Sequence, residues 1–242
     1  MDISVYEKFS EVAGKMWWFR ARRNIIEQII KELIGGDSSK KILDFGAGVG
    51  VVSKMMANYA DVIAVDNSPE SVRLSSYPIQ LISDLKCFDD NSFDIVTAFD
   101  VLEHCLDDEE IIKEFWRILK PGGFVFVAVP AYQFLWREYD TLVHHYRRYL
   151  KGELSNKFKK YSFLILKSSY YNTLLFPLLV VNVTYEKIRN LFTKKQRNEL
   201  ELYGYITNEM LFKIFNAEKY WLKKHNFPYG SSILLTARKI MK

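Results

Sequence analysis

The chain has 242 residues, with 34 Lys and Arg against 29 Asp and Glu, a formal net charge of +5. That excess is too weak to argue for nucleic acid as a partner, and it suits an anionic small molecule or a membrane surface. Apolar residues make up 49%, enough for one sizeable core and a single domain over 1–242.

Cys87 and Cys105 are the only cysteines. They show no metal spacing, which predicts a reduced, cytoplasmic chain. Asp2, Glu7, Lys8 and Glu11 interrupt the N-terminus, so no signal peptide is expected. The longest apolar run, Leu174 to Val181, contains Pro177 and is far too short to span a membrane.

In chain order, Val5 to Leu33 reads as two helices, and Ile25, Ile26, Ile29, Ile30, Leu33 and Ile34 recur at helical spacing. Gly35, Gly36 and Asp37 stop the second. Between them lies MWWFRARR, Met16 to Arg23. It reads either as an aromatic plug with solvated arginines or as part of a lid, residues 1–36. In the lid, Arg20 or a neighbour faces a carboxylate.

KKILDFGAGVG, Lys40 to Gly50, reads as strand, glycine turn and helix start, with the helix over Val49 to Ala57. Asp44 ends the strand, and Gly46, Ala47, Gly48 and Gly50 form the turn. This is the first unit of a nucleotide-binding α/β sheet. The dehydrogenase spacing fails, because its third glycine would fall at Val51. A carboxylate at Asp44 repels a pyrophosphate but suits an ammonium or sulfonium group.

Asp61 to Asp66 is the second strand, and Asp66 sits where a carboxylate can accept from ribose hydroxyls. Asn67 or Ser68 caps the helix opened by Pro69. Ile79 to Asp84 is the third strand and Phe93 to Phe99 the fourth. Asp100 to His104, DVLEH, follows at the sheet edge. Asp107 to Leu119 is a helix stopped by Lys120-Pro121-Gly122-Gly123, and Phe124 to Pro130 is the fifth strand.

The DFGAGVG string and the LKPGG–strand pair resemble the class I S-adenosylmethionine-dependent methyltransferases. The W-W-F-R-x-R-R string and the later H-Y-R-R-Y string resemble a rarer small-molecule subgroup of that family. The resemblance implies a Rossmann-like, seven-stranded, mostly parallel sheet with helices on both faces and an antiparallel last strand. It implies S-adenosylmethionine as cofactor, bound by Asp44, Gly46, Ala47, Gly48, Asp66 and Asn67. Asp84 and Leu85 would lie at the adenine, and Asp100, Trp18 and Arg20 would close the site.

Methyl transfer to a hydroxyl needs a base, and His104, next to Glu103, is the candidate. The same run permits a divalent ion on Asp100, Glu103 and His104 as a minority reading, with no metal as the main one. Ala131 to Leu150 follows the carboxyl end of a strand, where substrate loops belong. Tyr132, His145, Arg147 and Arg148 are its acceptor-binding candidates, the arginines suiting phosphate or carboxylate.

Lys151 to Lys160 is a helix and Tyr161 to Tyr171 the sixth strand, so residues 40–171 form the cofactor-binding core. Residues 172–226 form a helical insertion, with an apolar patch at Leu174 to Val183, then Lys187, Arg189, Lys194, Lys195 and Arg197. Asn208 to Lys224 is its further helix, and Ser231 to Lys239 closes the sheet. The expected function is methyl transfer to a small or lipid-linked acceptor, at oxygen. Residues 174–197 are a candidate membrane contact, and the chain is a monomer or homodimer. A non-catalytic binding module on the same fold is the alternative.

Overall fold

The apolar runs pair into one seven-stranded sheet. A computed structural model of the chain describes residues 3–192 and 203–240. Its strands are β1 (Lys41–Phe45), β2 (Asp61–Asp66), β3 (Ile79–Leu81), β4 (Phe93–Phe99), β5 (Leu119–Pro130), β6 (Phe163–Tyr171) and β7 (Ser232–Lys239). Their order is β3-β2-β1-β4-β5-β7-β6. The strands β3 to β5 run parallel, and β7 is antiparallel to both β5 and β6. The mostly parallel sheet and antiparallel last strand agree with the sequence. The chain reverses its direction of travel between β1 and β4, which opens a crevice at their carboxyl ends.

The helices are α1 (Ile3–Val12), α2 (Trp17–Ile34), α3 (Val51–Met56), α4 (Pro69–Leu74), α5 (Asp108–Ile118), α6 (Glu138–Leu142), α7 (Lys151–Lys160), α8 (Phe176–Phe192) and α9 (Tyr205–Leu222). On one face Ile112 and Phe115 of α5 and Leu154 and Phe158 of α7 pack on Leu43, Val96 and Val127. On the other, Ile25, Ile29 and Ile30 of α2 and Phe215 of α9 pack on Ile42, Ile95 and Phe126. Both faces of β4 are therefore covered, and its central residues are buried throughout, as a parallel strand requires.

Several boundaries differ from the sequence reading. The isoleucine face of α2 is core, so the expected lid does not include the whole of that helix; Phe9 of α1 lies beside the glycine turn. Gly50 takes φ +74° immediately before α3, which moves the helix start from Val49 to Val51. β3 ends at Leu81, three residues short of Asp84. β5 begins at Leu119, which pairs with Phe93 across a register shift. Lys120-Pro121-Gly122-Gly123 is thus part of the strand and does not lie outside it. β6 begins at Phe163, because Tyr161 closes α7 and Ser162 turns at φ +61°. Residues Lys194, Lys195 and Arg197 lie outside the described residues.

Candidate active site

The glycine turn is shaped by its neighbours. The Gly46 and Ala47 N–H groups both donate to the Val65 carbonyl, at 2.9 and 3.0 Å. Gly46 has φ +73°, and a Cβ there would overlap the Val101 side chain. Gly46→Ala is expected to cost at least about 1–2 kcal/mol from the left-handed backbone alone, with the overlap added. Urea unfolding checks this, and an unchanged midpoint would contradict it.

Two acids flank the turn. Asp44, 2% exposed, accepts from Ser53 Oγ at 2.6 Å and Thr97 Oγ1 at 2.8 Å. Burial nevertheless pushes its carboxyl up to about 6. Asp66 accepts from the Gly48 N–H on one oxygen and the Ser68 N–H on the other, both at 2.9 Å. It ties the turn to the end of β2 while keeping lone pairs free. Phe9 of α1 lies over Gly48.

Arg22 of α2 is buried. It pairs with Asp100 at 2.8 Å and donates to the Tyr171 hydroxyl at 3.0 Å, and its guanidinium lies 4.9 Å from the Trp18 ring. Asp100 is itself held at φ +57°, a sparsely populated state for a non-glycine residue. Arg23 also faces the cleft, with no hydrogen bond or ion pair among the described residues.

A cleft of about 1010 Å3 runs from Tyr6, Phe9 and the glycine turn past Asp66 and Asn67 to Glu103, His104 and His145. Leu178, Leu179 and Asn182 of α8 form part of its wall. That volume is at the upper end of ordinary small-molecule sites. Glu103 is fully buried, and neither carboxylate oxygen has a hydrogen-bond partner among the described residues. Burial, with Asp100 nearby, holds it well above the usual carboxylate range. Burial and the neighbouring His145 push His104 down to about 4. The two imidazoles meet edge to face, with centroids 4.5 Å apart.

Residues 43–127 match the family described as "Methyltransferase domain". A ubiquinone biosynthesis O-methyltransferase of Xanthomonas oryzae pv. oryzae (strain PXO99A) is 33% identical over 135 residues, 46% of this chain and 56% of that protein. The chain thus spans little more than half the length of that relative. The counterpart in Xanthomonas axonopodis pv. citri (strain 306) is 32% identical over 179 residues, 61% of this chain and 74% of the relative. The chain belongs to the S-adenosylmethionine-dependent methyltransferases. The fold agrees: a methyltransferase structure from Archaeoglobus fulgidus superposes with TM-score 0.56 at 15% identity, over 90% of this chain and 94% of that one.

S-adenosylmethionine is the cofactor of this methyltransferase, and the cleft fits it. The turn leaves no room for a Cβ at Gly46, acids stand at the ends of β1 and β2, and Arg23 forms no ion pair among the described residues. Gly46, Ala47, Gly48, Asp44, Asp66, Asn67, Asp100 and Trp18 all line the cleft, as do Glu103, His104, His145 and Arg148.

Other predicted residues fall elsewhere. Asp84 is exposed; it accepts from the Lys86 N–H and faces Lys86 Nζ. Leu85 is core, 1% exposed, and neither lines the cleft. Instead Ile82 and Ser83 do. Arg20 pairs with Glu209 of α9 and stacks on Phe212 at 4.1 Å. Its helix turns it outward, and Arg22 and Arg23 inward. Tyr132 stacks on Tyr170, with centroids 5.0 Å apart, away from the cleft.

Neither predicted acceptor arginine is free. Arg147 pairs with Asp108 at 3.1 Å and donates to the Leu106 carbonyl at 2.7 Å, outside the cleft. Arg148 reaches the cleft but forks onto Asp140, at 2.9 and 2.8 Å. The metal set Asp100, Glu103 and His104 is not assembled, because Asp100 turns to Arg22. One donor atom each from Glu103, His104 and His145 does fall within 4.8 Å of the others.

The sequence left open which arginine of WWFRARR faces the cleft, and it did not single out Asp140. A signal for Asp140 existed: an acid five residues before His145 and eight before Arg148, in a loop rich in arginine and histidine. Nothing in the string WWFRARR distinguished its three arginines, because their partners Asp100 and Glu209 are remote in sequence.

Proposed function

We propose that this chain transfers the methyl group of S-adenosylmethionine to a hydroxyl oxygen of a small acceptor that carries an apolar part. The observation that carries the reading is the single cleft linking the glycine turn and Asp66 to Glu103, His104 and His145. The names of the relatives, ubiquinone biosynthesis O-methyltransferases, support oxygen as the acceptor atom.

In this reading the cofactor supplies an electrophilic methyl group on a sulfonium. The protein's task is to align donor and acceptor and to exclude water. Asp66 and Asn67 take the ribose hydroxyls. Asp44 takes the ammonium of the methionine part and Arg23 its carboxylate, a pairing that Arg20 cannot make. With Arg22, Arg148 and Arg137 each opposed by an internal carboxylate, and Glu103 neutral, the acceptor end offers no unmatched charge among these groups. An uncharged phenol suits it better than a phosphate.

The α8 helix supports a lipid-linked acceptor. Leu174, just before it, and Leu178, Val181, Tyr185 and Ile188 are exposed at helical spacing, and Leu178 also borders the cleft. Among the described residues, no helix is long and apolar enough to cross a membrane. A peripheral contact would therefore run through this stripe, with the chain at the cytoplasmic face.

The test is calorimetric titration with S-adenosylmethionine and S-adenosylhomocysteine, then methyl transfer to a panel of phenols. Asp66→Ala is expected to weaken cofactor binding by about 100-fold or more, since one carboxylate serves both the Gly48 turn and the ribose. Arg23→Ala is expected to weaken it by about 10-fold. Cofactor binding with no turnover of any acceptor would favour a binding module on the same fold.

A further inference from the structure

Resting on that reading, we propose that His145 is the general base for the acceptor hydroxyl, with Asp140 the positioning residue that holds it. His144 is in the left-handed region at φ +61°, a costly state for a non-glycine residue. That turn is held by two backbone bonds, from the His145 N–H to the Asp140 carbonyl at 2.8 Å and from the Tyr146 N–H to the Glu103 carbonyl at 2.7 Å. It brings the His145 ring to the cleft.

Behind the ring lies Asp140, fully buried. Its carboxylate accepts from the Arg137 N–H at 2.8 Å, from Arg148 Nε and Nη2 at 2.9 and 2.8 Å, and from His145 Nδ1 at 2.8 Å. These bonds outweigh burial and hold Asp140 down at about 2, so it stays ionised. An ionised carboxylate can only accept. The proton of His145 therefore sits on Nδ1, and the lone pair on Nε2 points away from Asp140. Nε2 lies 3.9 Å from Glu103 Oε1.

His104 lacks any such carboxylate bond, and burial keeps its imidazole a weak base. The groups facing His145 are Glu103 and His104 from the turn after β4, Asp140 from α6, and His144 and Arg148 from its own loop. The Trp136 ring adds an edge at 6.5 Å. With Glu103 and His104 uncharged, a positive charge formed on His145 meets Asp140 as its counter-ion. The arrangement follows the logic of a base oriented by a buried carboxylate.

In the step itself the acceptor O–H proton passes to Nε2, and an oxygen electron pair forms the O–CH3 bond. The C–S pair stays on sulfur, giving S-adenosylhomocysteine. The imidazolium then returns its proton to solvent.

Two arms test this on the full chain. The first is 15N NMR of histidine-labelled wild type and Asp140→Asn, which reads the imidazole tautomer. His145 is expected to hold the Nδ1–H tautomer in the wild type and to shift toward Nε2–H in Asp140→Asn, whose amide no longer offers a carboxylate to Nδ1. An Nε2–H tautomer in the wild type, or the same tautomer in both proteins, overturns the proposal whatever the acceptor.

The second arm compares catechol with 4-nitrocatechol, whose first hydroxyl is already ionised at neutral pH. His145→Gln is expected to lower kcat for catechol by about 10²–10⁴-fold and for 4-nitrocatechol by far less, with S-adenosylhomocysteine affinity unchanged. Equal losses on both phenols, or a larger loss in His104→Gln than in His145→Gln, would also overturn it. A wild type that binds S-adenosylmethionine but methylates neither phenol counts against the phenol acceptor, and the dyad is then judged by the tautomer. If Asp140→Asn does not fold, the wild-type spectrum decides alone, the Nε2–H tautomer overturning the proposal.

Discussion

Arg148→Ala is expected to unfold at a markedly lower urea concentration than the wild type, with a stability loss of about 3–5 kcal/mol. Arg148 and Asp140 have side chains only 12% and 1% exposed. Truncating the arginine leaves a buried carboxylate with only the Arg137 N–H and His145 as donors. For a chain of this size the melting midpoint should fall on the order of 10 °C. Arg147→Ala is the control. Its partner Asp108 keeps Lys157 Nζ at 2.8 Å and the Tyr149 hydroxyl at 2.7 Å, and Arg147 is more exposed. A loss of about 1 kcal/mol or less follows. Equal effects in the two variants would show that the fork onto Asp140 contributes little to stability. The two arginines are adjacent in a string that reads as a single anion-binding patch, so the contrast separates the two interpretations of that string.

Glu218→Gln is expected to flatten the pH dependence of stability between about pH 5 and pH 8. Glu218 of α9 is 1% exposed, and one oxygen accepts from the Thr173 and Leu174 N–H groups at 2.6 and 2.8 Å. The other oxygen has no hydrogen-bond partner among the described residues. Burial pushes the carboxyl up to about 7, above its value in an unfolded chain. The folded state therefore holds this proton more tightly than the unfolded state. The contribution is complete below the unfolded value and fades as pH rises through about 7. Over that window it is worth roughly 3 kcal/mol. Glutamine keeps an accepting oxygen for the two N–H groups and cannot ionise. Urea midpoints at pH 5 and pH 8 should thus separate in the wild type by more than in the variant. Parallel lines for the two proteins would remove Glu218 as the cause. The residue matters beyond stability because the Asn172–Leu174 segment that it caps leads directly into α8, a wall of the cleft.

Much of the glycine-turn end of the cleft was legible in the chain. Asp44, Gly46, Ala47, Gly48, Asp66 and Asn67 lie on one strand–turn–helix unit and the strand after it. Such a unit is organised by local backbone needs: positive φ at the glycines, an acid at each strand end, a cap before Pro69. The strands were legible for a similar reason, since doubly covered strands must be continuous apolar runs. Boundaries failed where pairing overrode local signals. Pro121 and Gly122 read as a helix stop, yet Leu119 pairs with Phe93 and draws them into β5. Asp84 read as the end of a strand, yet the β2 pairing stops at Leu81.

The acceptor end was far less legible. Its charges are paired over long sequence distances: Arg22 with Asp100 and Arg137 with Glu186. A sequence shows that a side chain is cationic and does not show whether a carboxylate already opposes it. The amino-acid sequence by itself determined the sheet, the glycine turn, the family and the cofactor, because each follows from periodicity and backbone conformation within a few residues. Only the tertiary structure decided which arginines are spent on internal carboxylates, that Glu103 is buried without a hydrogen-bond partner among the described residues, and that Asp140 stands behind His145. Burial and long-range charge pairing set those properties, and both exist only once the chain has folded.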